Sequence, residues 1–380
     1  MKTVIAIDSF KGSLSSVEAA KAIEKGIKRA CDCEVVISPI ADGGEGTVDA
    51  LAKGMAGVLK TTEVTGPLGE KVTAEWGLIS DGNSKTAIIE MASAAGIALL
   101  DREKLNPLNT TTYGVGELIN KAIDEGCRRF IVGIGGSATN DGGMGMLKAL
   151  GFEFLDESDN PIPDGVKGLE KLCSVSDKKV NPKLAQCSFR VACDVTNPLC
   201  GENGCSAIFG PQKGATPKMI KDMDAWLQNY ARITGGDATY PGTGAAGGMG
   251  YAFLNFTNAG LEPGIDIVLS ETKLEEKIKD ADIVITGEGR MDAQTVMGKA
   301  PAGVAKLAKK YGKRVLAFCG CASEDARVCN ENGIDAFFPI LTNVVTLDEA
   351  LDKEVASANL ELTAEQVFRA MELNYGEKRR

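Results

Sequence analysis

Six short apolar runs, each ending abruptly in a loop rich in glycine, acid and hydroxyl residues, constrain this chain more than any other feature. VIAI leads to DSFKGSLSS, VVISPI to ADGGEGT, FIV to GIGGSATNDGG, FRVA to CDVTNPLCG, DIVI to TGEGRMDAQT, and VLAF to CGCASED. Runs this short and rich in Val, Ile and Phe suit buried parallel strands. Open α/β sheets bind ligands outside the carboxyl ends of their strands, so the loops are expected to line one crevice or the facing edges of two domains.

The helices between the runs fit that reading. In SSVEAAKAIEKGIKRA, Ser15 and Glu18 have capping-box spacing, and Val17, Ala20, Ile23 and Ile27 form one apolar stripe. Val35 to Ile40 predicts the next strand, and a helix follows from about Thr47. After residue 275 the alternation resumes with a helix near Leu274 to Ile278, the strand DIVIT, a helix with Pro301 in its first turn and Gly312 as its stop, and the strands VLAF and AFFPI. Segments 1–60 and 275–380 therefore pair as one doubly wound parallel-sheet domain. Segment 61–274 becomes an inserted mixed α/β domain, opening with an antiparallel hairpin around Pro67-Leu68-Gly69 next to the strand KTAIIEMA.

Composition removes whole classes of chemistry. The chain has no histidine, which excludes Ser-His-Asp and Cys-His catalysis, H-E-x-x-H zinc sites and any imidazole base. A net charge of -10 argues against nucleic-acid and membrane partners, and no run approaches the roughly 18 apolar residues that span a bilayer. The first apolar run breaks at Asp8, unlike a signal peptide. The eleven cysteines are scattered, as expected of free thiols in a reducing compartment, so the expected location is cytoplasmic.

The loops hold cations and acids together. Lys11, Lys213, Arg290 and Lys299 lie among glycines; Asp8, Asp42, Glu45, Asp141, Asp194, Glu288 and Asp292 supply carboxylates. Phosphoryl transfer needs that combination: charge neutralisation, magnesium and a base for the attacking hydroxyl. IVGIGGSATNDGGMG has a second reading. Gly133, Gly135 and Ala138 match a dinucleotide fingerprint, with Glu153 at the distance of a ribose-binding acid, which would make the chain an NAD(P)-dependent oxidoreductase. GTGAAGGMG matches the same pattern at Gly242, Gly244 and Gly247 but follows no apolar strand, and no Walker A loop is present.

Taken in order, DSFKGSLSS, ADGGEGT, GIGGSATNDGGMG, CDVTNPLCG, GPQKGA, PGTGAAGGMG and TGEGRMDAQT with GKAPAGVA resemble the type 1 glycerate kinases, the bacterial family of the glyoxylate and galactarate pathways. The resemblance runs over essentially the whole chain. It implies a flavodoxin-like domain split by an inserted domain. It also implies ATP- and Mg2+-dependent phosphorylation of D-glycerate at the 2-hydroxyl, giving 2-phosphoglycerate and ADP, with the 3-hydroxyl as the alternative. A homodimer is the candidate assembly. On these blocks, chemistry assigns Arg290, Lys11 and Ser13 to the glycerate carboxylate and Asp194 to the attacking hydroxyl. Gly135, Gly136, Ser137, Thr139, Asn140 and Lys299 go to phosphate or nucleotide, and Asp42 and Asp292 to magnesium.

Overall fold

The computed structural model describes residues 1–41, 46–82 and 84–376. In chain order its strands are β1 (Lys2–Ile5), β2 (Glu34–Ile37), β3 (Val58–Thr65), β4 (Lys71–Asp81), β5 (Ser84–Glu90), β6 (Arg129–Gly133), β7 (Glu153–Leu155), β8 (Ser174–Ser176), β9 (Ser188–Ala192), β10 (Ala259–Glu262), β11 (Ile283–Met291), β12 (Arg314–Ala322) and β13 (Ala336–Pro339). Two compact units result: Met1–Asp42 with Asp49–Ala56 and Ile265–Arg380, and Gly43–Val48 with Gly57–Gly264.

The first unit is built on a five-stranded sheet in the order β13-β12-β11-β1-β2, with every pairing parallel. Numbered within the unit, this is the flavodoxin-like order 2-1-3-4-5, whose direction of winding reverses between β1 and β11. Helix Ser16–Ala30 packs over the sheet through Ala19, Ile23 and Ile27, against Leu360, Ala364 and Phe368 of helix Lys353–Gly376. Full burial of such side chains contributes about 1.5–3 kcal/mol each. The capping box expected at Ser15 and Glu18 forms, with Ser15 N–H donating to Glu18 Oε2 at 2.8 Å and Glu18 N–H to Ser15 Oγ at 3.3 Å.

The reading of TGEGRMDAQT and CGCASED as loops is corrected. β11 runs to Met291 and β12 to Ala322, with Glu288 opposite Cys319 and Arg290 opposite Cys321. Glycine and charge are poor strand formers, but each strand supplies the other's hydrogen-bond partners and carries the pairing past the apolar segment.

The second unit holds a six-stranded sheet in the order β10-β9-β6-β5-β4-β3 and a two-stranded sheet of β7 and β8. β3 and β4 pair antiparallel, as the alternation around Pro67 predicts, and β5 joins β4 antiparallel, while β5-β6, β6-β9 and β9-β10 are parallel. Its core centres on Trp76, Phe253 and a stacked Phe130–Phe189 pair with ring centroids 4.7 Å apart. Among the described residues, no helix is long and apolar enough to cross a membrane.

Candidate active site

At the carboxyl end of the first unit's sheet, the last residues of β11 and β12 and residues following β1, β11 and β13 line a cavity of about 420 Å3. Lys11, Ser13, Arg290, Asp292 and Lys299 all face it, with Asp8 and Glu288. It lies at the reversal of strand order, where such sheets bind ligands. Beyond β1 the chain stays tied to β11, Asp8 N–H donating to the Gly287 carbonyl at 3.0 Å, before turning through Phe10 to Leu14. Ser13 Oγ is buried in that turn without a hydrogen-bond partner, an unmet capacity next to Lys11.

Glu288 organises the opposite wall. It accepts from Thr295 Oγ1 at 2.6 Å and from Lys299 Nζ at 3.3 Å. Burial pushes its carboxyl above the usual range, against the lowering effects of Thr295 and Lys299. Asp292 caps the following turn through Oδ1, which accepts from Gln294 N–H at 2.9 Å. Its Oδ2 stands 3.7 Å from Arg290 Nε, and the Arg290 side chain is 69% exposed. The guanidinium is thus loosely held and available to an anion. Asp42 and Glu45 lie outside the described residues.

The remaining predicted site residues belong to the second unit. β6 and β9 run side by side with Gly133 opposite Ala192, so the turn after Gly133 and Asp194 leave the ends of neighbouring strands. Asp194 is exposed and accepts from Gly264 N–H at 3.0 Å. In the turn, Gly135 and Gly136 are exposed, whereas Thr139, Asn140 and Asp141 are wholly buried. Asn140 Nδ2 donates to Ser206 Oγ at 2.8 Å. The part that faces outward is thus Gly135 and Gly136, and the side chains of Ser137, Thr139 and Asn140 are buried in the unit.

Asp141, one of the candidate carboxylates of the loops, is a hub of structure. It accepts from Thr112 N–H and Oγ1, Gly143 N–H and Gly145 N–H, all at 2.8–3.1 Å. Burial pushes its carboxyl up and these donors restrain the rise. Lys213 is equally hidden, at 1% exposure, and donates to Ser137 Oγ at 2.8 Å and the Thr139 carbonyl at 2.6 Å. The glycines of GTGAAGGMG support the same turn. A Cβ on Gly247 would lie 2.2 Å from the Thr139 carbonyl, and Gly142 N–H donates to the Gly247 carbonyl at 2.9 Å. Close backbone packing, not a cofactor, accounts for that glycine.

Sequence reasoning passed over the cavity's other lining: Ile340, Leu341, Leu347, Leu351 and Asn359. The rule that singled out the polar loops, position beyond a strand's carboxyl end, applies equally to Ile340 and Leu341 after β13.

A doubly wound sheet with cations and carboxylates gathered at its switch point has the makings of an enzyme that handles an anionic small molecule. Residues 3–372 match the profile of the glycerate kinase family, and the chain belongs to that family. It is 51% identical to a glycerate kinase of Haemophilus influenzae, over 99% of this chain and 100% of the other. It is also 51% identical to the glycerate 2-kinase of Escherichia coli, over 92% and 93% of the two chains. A crystal structure from Salmonella typhimurium LT2, assigned as glycerate kinase 2, superposes with a TM-score of 0.90 at 46% identity, covering 99% of both chains.

The family places the chain among kinases, phosphotransferases acting on an alcohol group. The oxidoreductase alternative finds no support in these relatives. Nor does the geometry suit it: Glu153 pairs with Lys179 at 2.6 Å on β7, and the helix after the glycine turn starts only at Met144.

Proposed function

We propose that this chain transfers the γ-phosphoryl group of ATP to the 2-hydroxyl of D-glycerate, giving 2-phosphoglycerate and ADP. The observation that carries the reading is the shared cavity of Lys11, Arg290 and Lys299 with Glu288 and Asp292 in a member of the glycerate kinase family. The name of the Escherichia coli relative, glycerate 2-kinase, favours the 2-hydroxyl over the 3-hydroxyl.

In this reading Arg290 grips the glycerate carboxylate with two parallel N–H bonds, assisted by Lys11 and Ser13 Oγ. Asp194 orients the hydroxyl and takes its proton late in the transfer. The backbone from Gly135 to Ser137 holds phosphate, kept in shape by the buried Thr139, Asn140 and Lys213. Lys299, tethered by Glu288, neutralises charge on the departing phosphate.

Magnesium fits the donor set as an ion that arrives with the phosphates. Such an ion takes one or two protein carboxylates, and Asp292, whose Oδ2 stands 3.7 Å from Arg290, suits that role, with Asp42 as its proposed partner. When bound, it would neutralise phosphate charge. A cytoplasmic setting agrees with the free cysteines among the described residues.

A coupled assay of ADP release with D-glycerate tests the activity, and phosphorus NMR of the product tests the position of transfer. Absence of glycerate-dependent ADP release overturns the kinase reading; accumulation of 3-phosphoglycerate overturns the regiochemistry.

A further inference from the structure

One half of the first unit's cavity has no part in the roles above. Beyond Lys11 and Arg290 its wall is apolar, formed by Ile340 and Leu341 after β13 and by Leu347 and Leu351 of helix Leu347–Leu351. Leu347 is 72% exposed and Leu341 43%, although both border a concave site in which an apolar ligand could cover them. Asn359 is the amide on this side, its Oδ1 accepting from Thr342 Oγ1 at 3.0 Å.

The reactants differ in what they could offer such a wall. Every carbon of glycerate bears oxygen, and the ribose and phosphates of a nucleotide are polar throughout. Only the purine ring has flat apolar faces with polar edges. A cavity of about 420 Å3 also falls in the range of sites for cofactor-sized ligands, which a three-carbon acid would leave mostly empty. Chemistry divides the lining, because Lys11, Arg290 and Lys299 suit anionic groups and the leucines suit the base.

We propose that the purine base of the donor nucleotide docks against Leu341, Leu347 and Leu351, with its edge toward Asn359 and its phosphates toward Lys299. The proposal rests on the ATP-dependent reading and names the site that reading leaves open. It makes the first unit the home of the base, with Lys299 beyond β11 meeting the phosphates.

The test compares the full-length wild type with the double variant Leu341→Asn/Leu347→Gln. Both positions are already exposed, so the fold tolerates the change, and no charge is introduced near the phosphates. Calorimetric titrations use ADP and, as the base-free probe, inorganic pyrophosphate; the coupled assay gives KM for ATP and for glycerate. Expected is a loss on the order of tenfold in ADP affinity and a matching rise in KM for ATP, while pyrophosphate affinity and KM for glycerate move by less than about twofold. ADP affinity unchanged in the double variant overturns the docking, as does a wild type that binds pyrophosphate as tightly as ADP. A rise in glycerate KM alone assigns the wall to the acid and also overturns it. A wild type that binds ADP in the expected way yet releases none from ATP and glycerate sinks the kinase reading and leaves the docking standing.

Discussion

Lys213 Nζ donates to the carbonyl of Thr139 across 2.6 Å in a fully buried setting, and the same ammonium holds Ser137 Oγ at 2.8 Å. The turn that carries the exposed Gly135 and Gly136 therefore hangs on a charge paid for in desolvation. Burial lowers the Lys213 pKa from 10.5 to about 8, against the raising influence of Cys205 and Asp141. Below pH 8 both folded and unfolded chains hold the proton; between about 8 and 10.5 only the unfolded chain does. Stability from this group therefore rises with pH through that window and is lost again as pH falls through 8. Lys213→Met leaves two acceptors without their donor and should cost about 1–3 kcal/mol. The gap to wild type should widen inside the window, as urea titrations within and below it would register.

Arg290 faces the cavity with little holding it except a 3.7 Å contact to Asp292. If it clamps the glycerate carboxylate, Arg290→Ala should raise KM for glycerate by roughly 10- to 100-fold, the scale of a charge-assisted hydrogen bond of about 1.5–3 kcal/mol. Arg290→Lys should recover only part of that loss, because an ammonium offers a point charge in place of two parallel bonds. Steady-state kinetics with glycerate varied at fixed ATP would measure both. Full recovery by lysine would dismiss the two-bond geometry.

Much of the architecture was legible because its signals are local. The alternation of β-branched runs with capped helices, and the hairpin at Pro67, need only neighbouring residues to be read. The ends of β11 and β12 were not, since Glu288 and Arg290 become strand residues only through pairing with Cys319 and Cys321. The cavity shared by Lys11, Arg290, Asp292 and Lys299 follows from loop position beyond strand ends, a topological rule available to sequence reasoning. The inward direction of Thr139, Asn140 and Lys213 does not, because side chains in an irregular turn follow no period. The leucine wall escaped notice for a different reason: apolar residues after a strand look the same whether they fill a core or line a ligand site.

Gly287 has φ of +150°, and a Cβ there would fall 1.8 Å from the Phe318 carbonyl oxygen in the neighbouring strand. Backbone cannot yield as a side-chain tip can, so Gly287→Ala must part β11 from β12 just where both reach the cavity. We expect a loss of about 3 kcal/mol or more, seen as an early thermal transition. Gly312→Ala is the control: φ is +64° but nothing lies within 4 Å, so only the backbone preference, about 1–2 kcal/mol, is at stake. Equal losses in the two variants would mean that the contact with Phe318 contributes nothing.

Asp194 accepts from Gly264 N–H at 3.0 Å through Oδ1, a bond that an asparagine carbonyl can also accept. Asp194→Asn therefore separates charge from shape. The loop should stay in place and the thermal transition should move little, while the residue loses the proton-accepting charge that its proposed role as base for the substrate hydroxyl requires. A positioned general base contributes typically 10²–10⁴-fold, so turnover should fall by about that range with little change in KM for ATP. Asp194→Ala, which abolishes both charge and acceptor, should lower stability as well by releasing Gly264. Should Asp194→Asn keep most of the wild-type rate, the proton must go elsewhere; with no histidine in the chain, another carboxylate or a lysine would have to receive it.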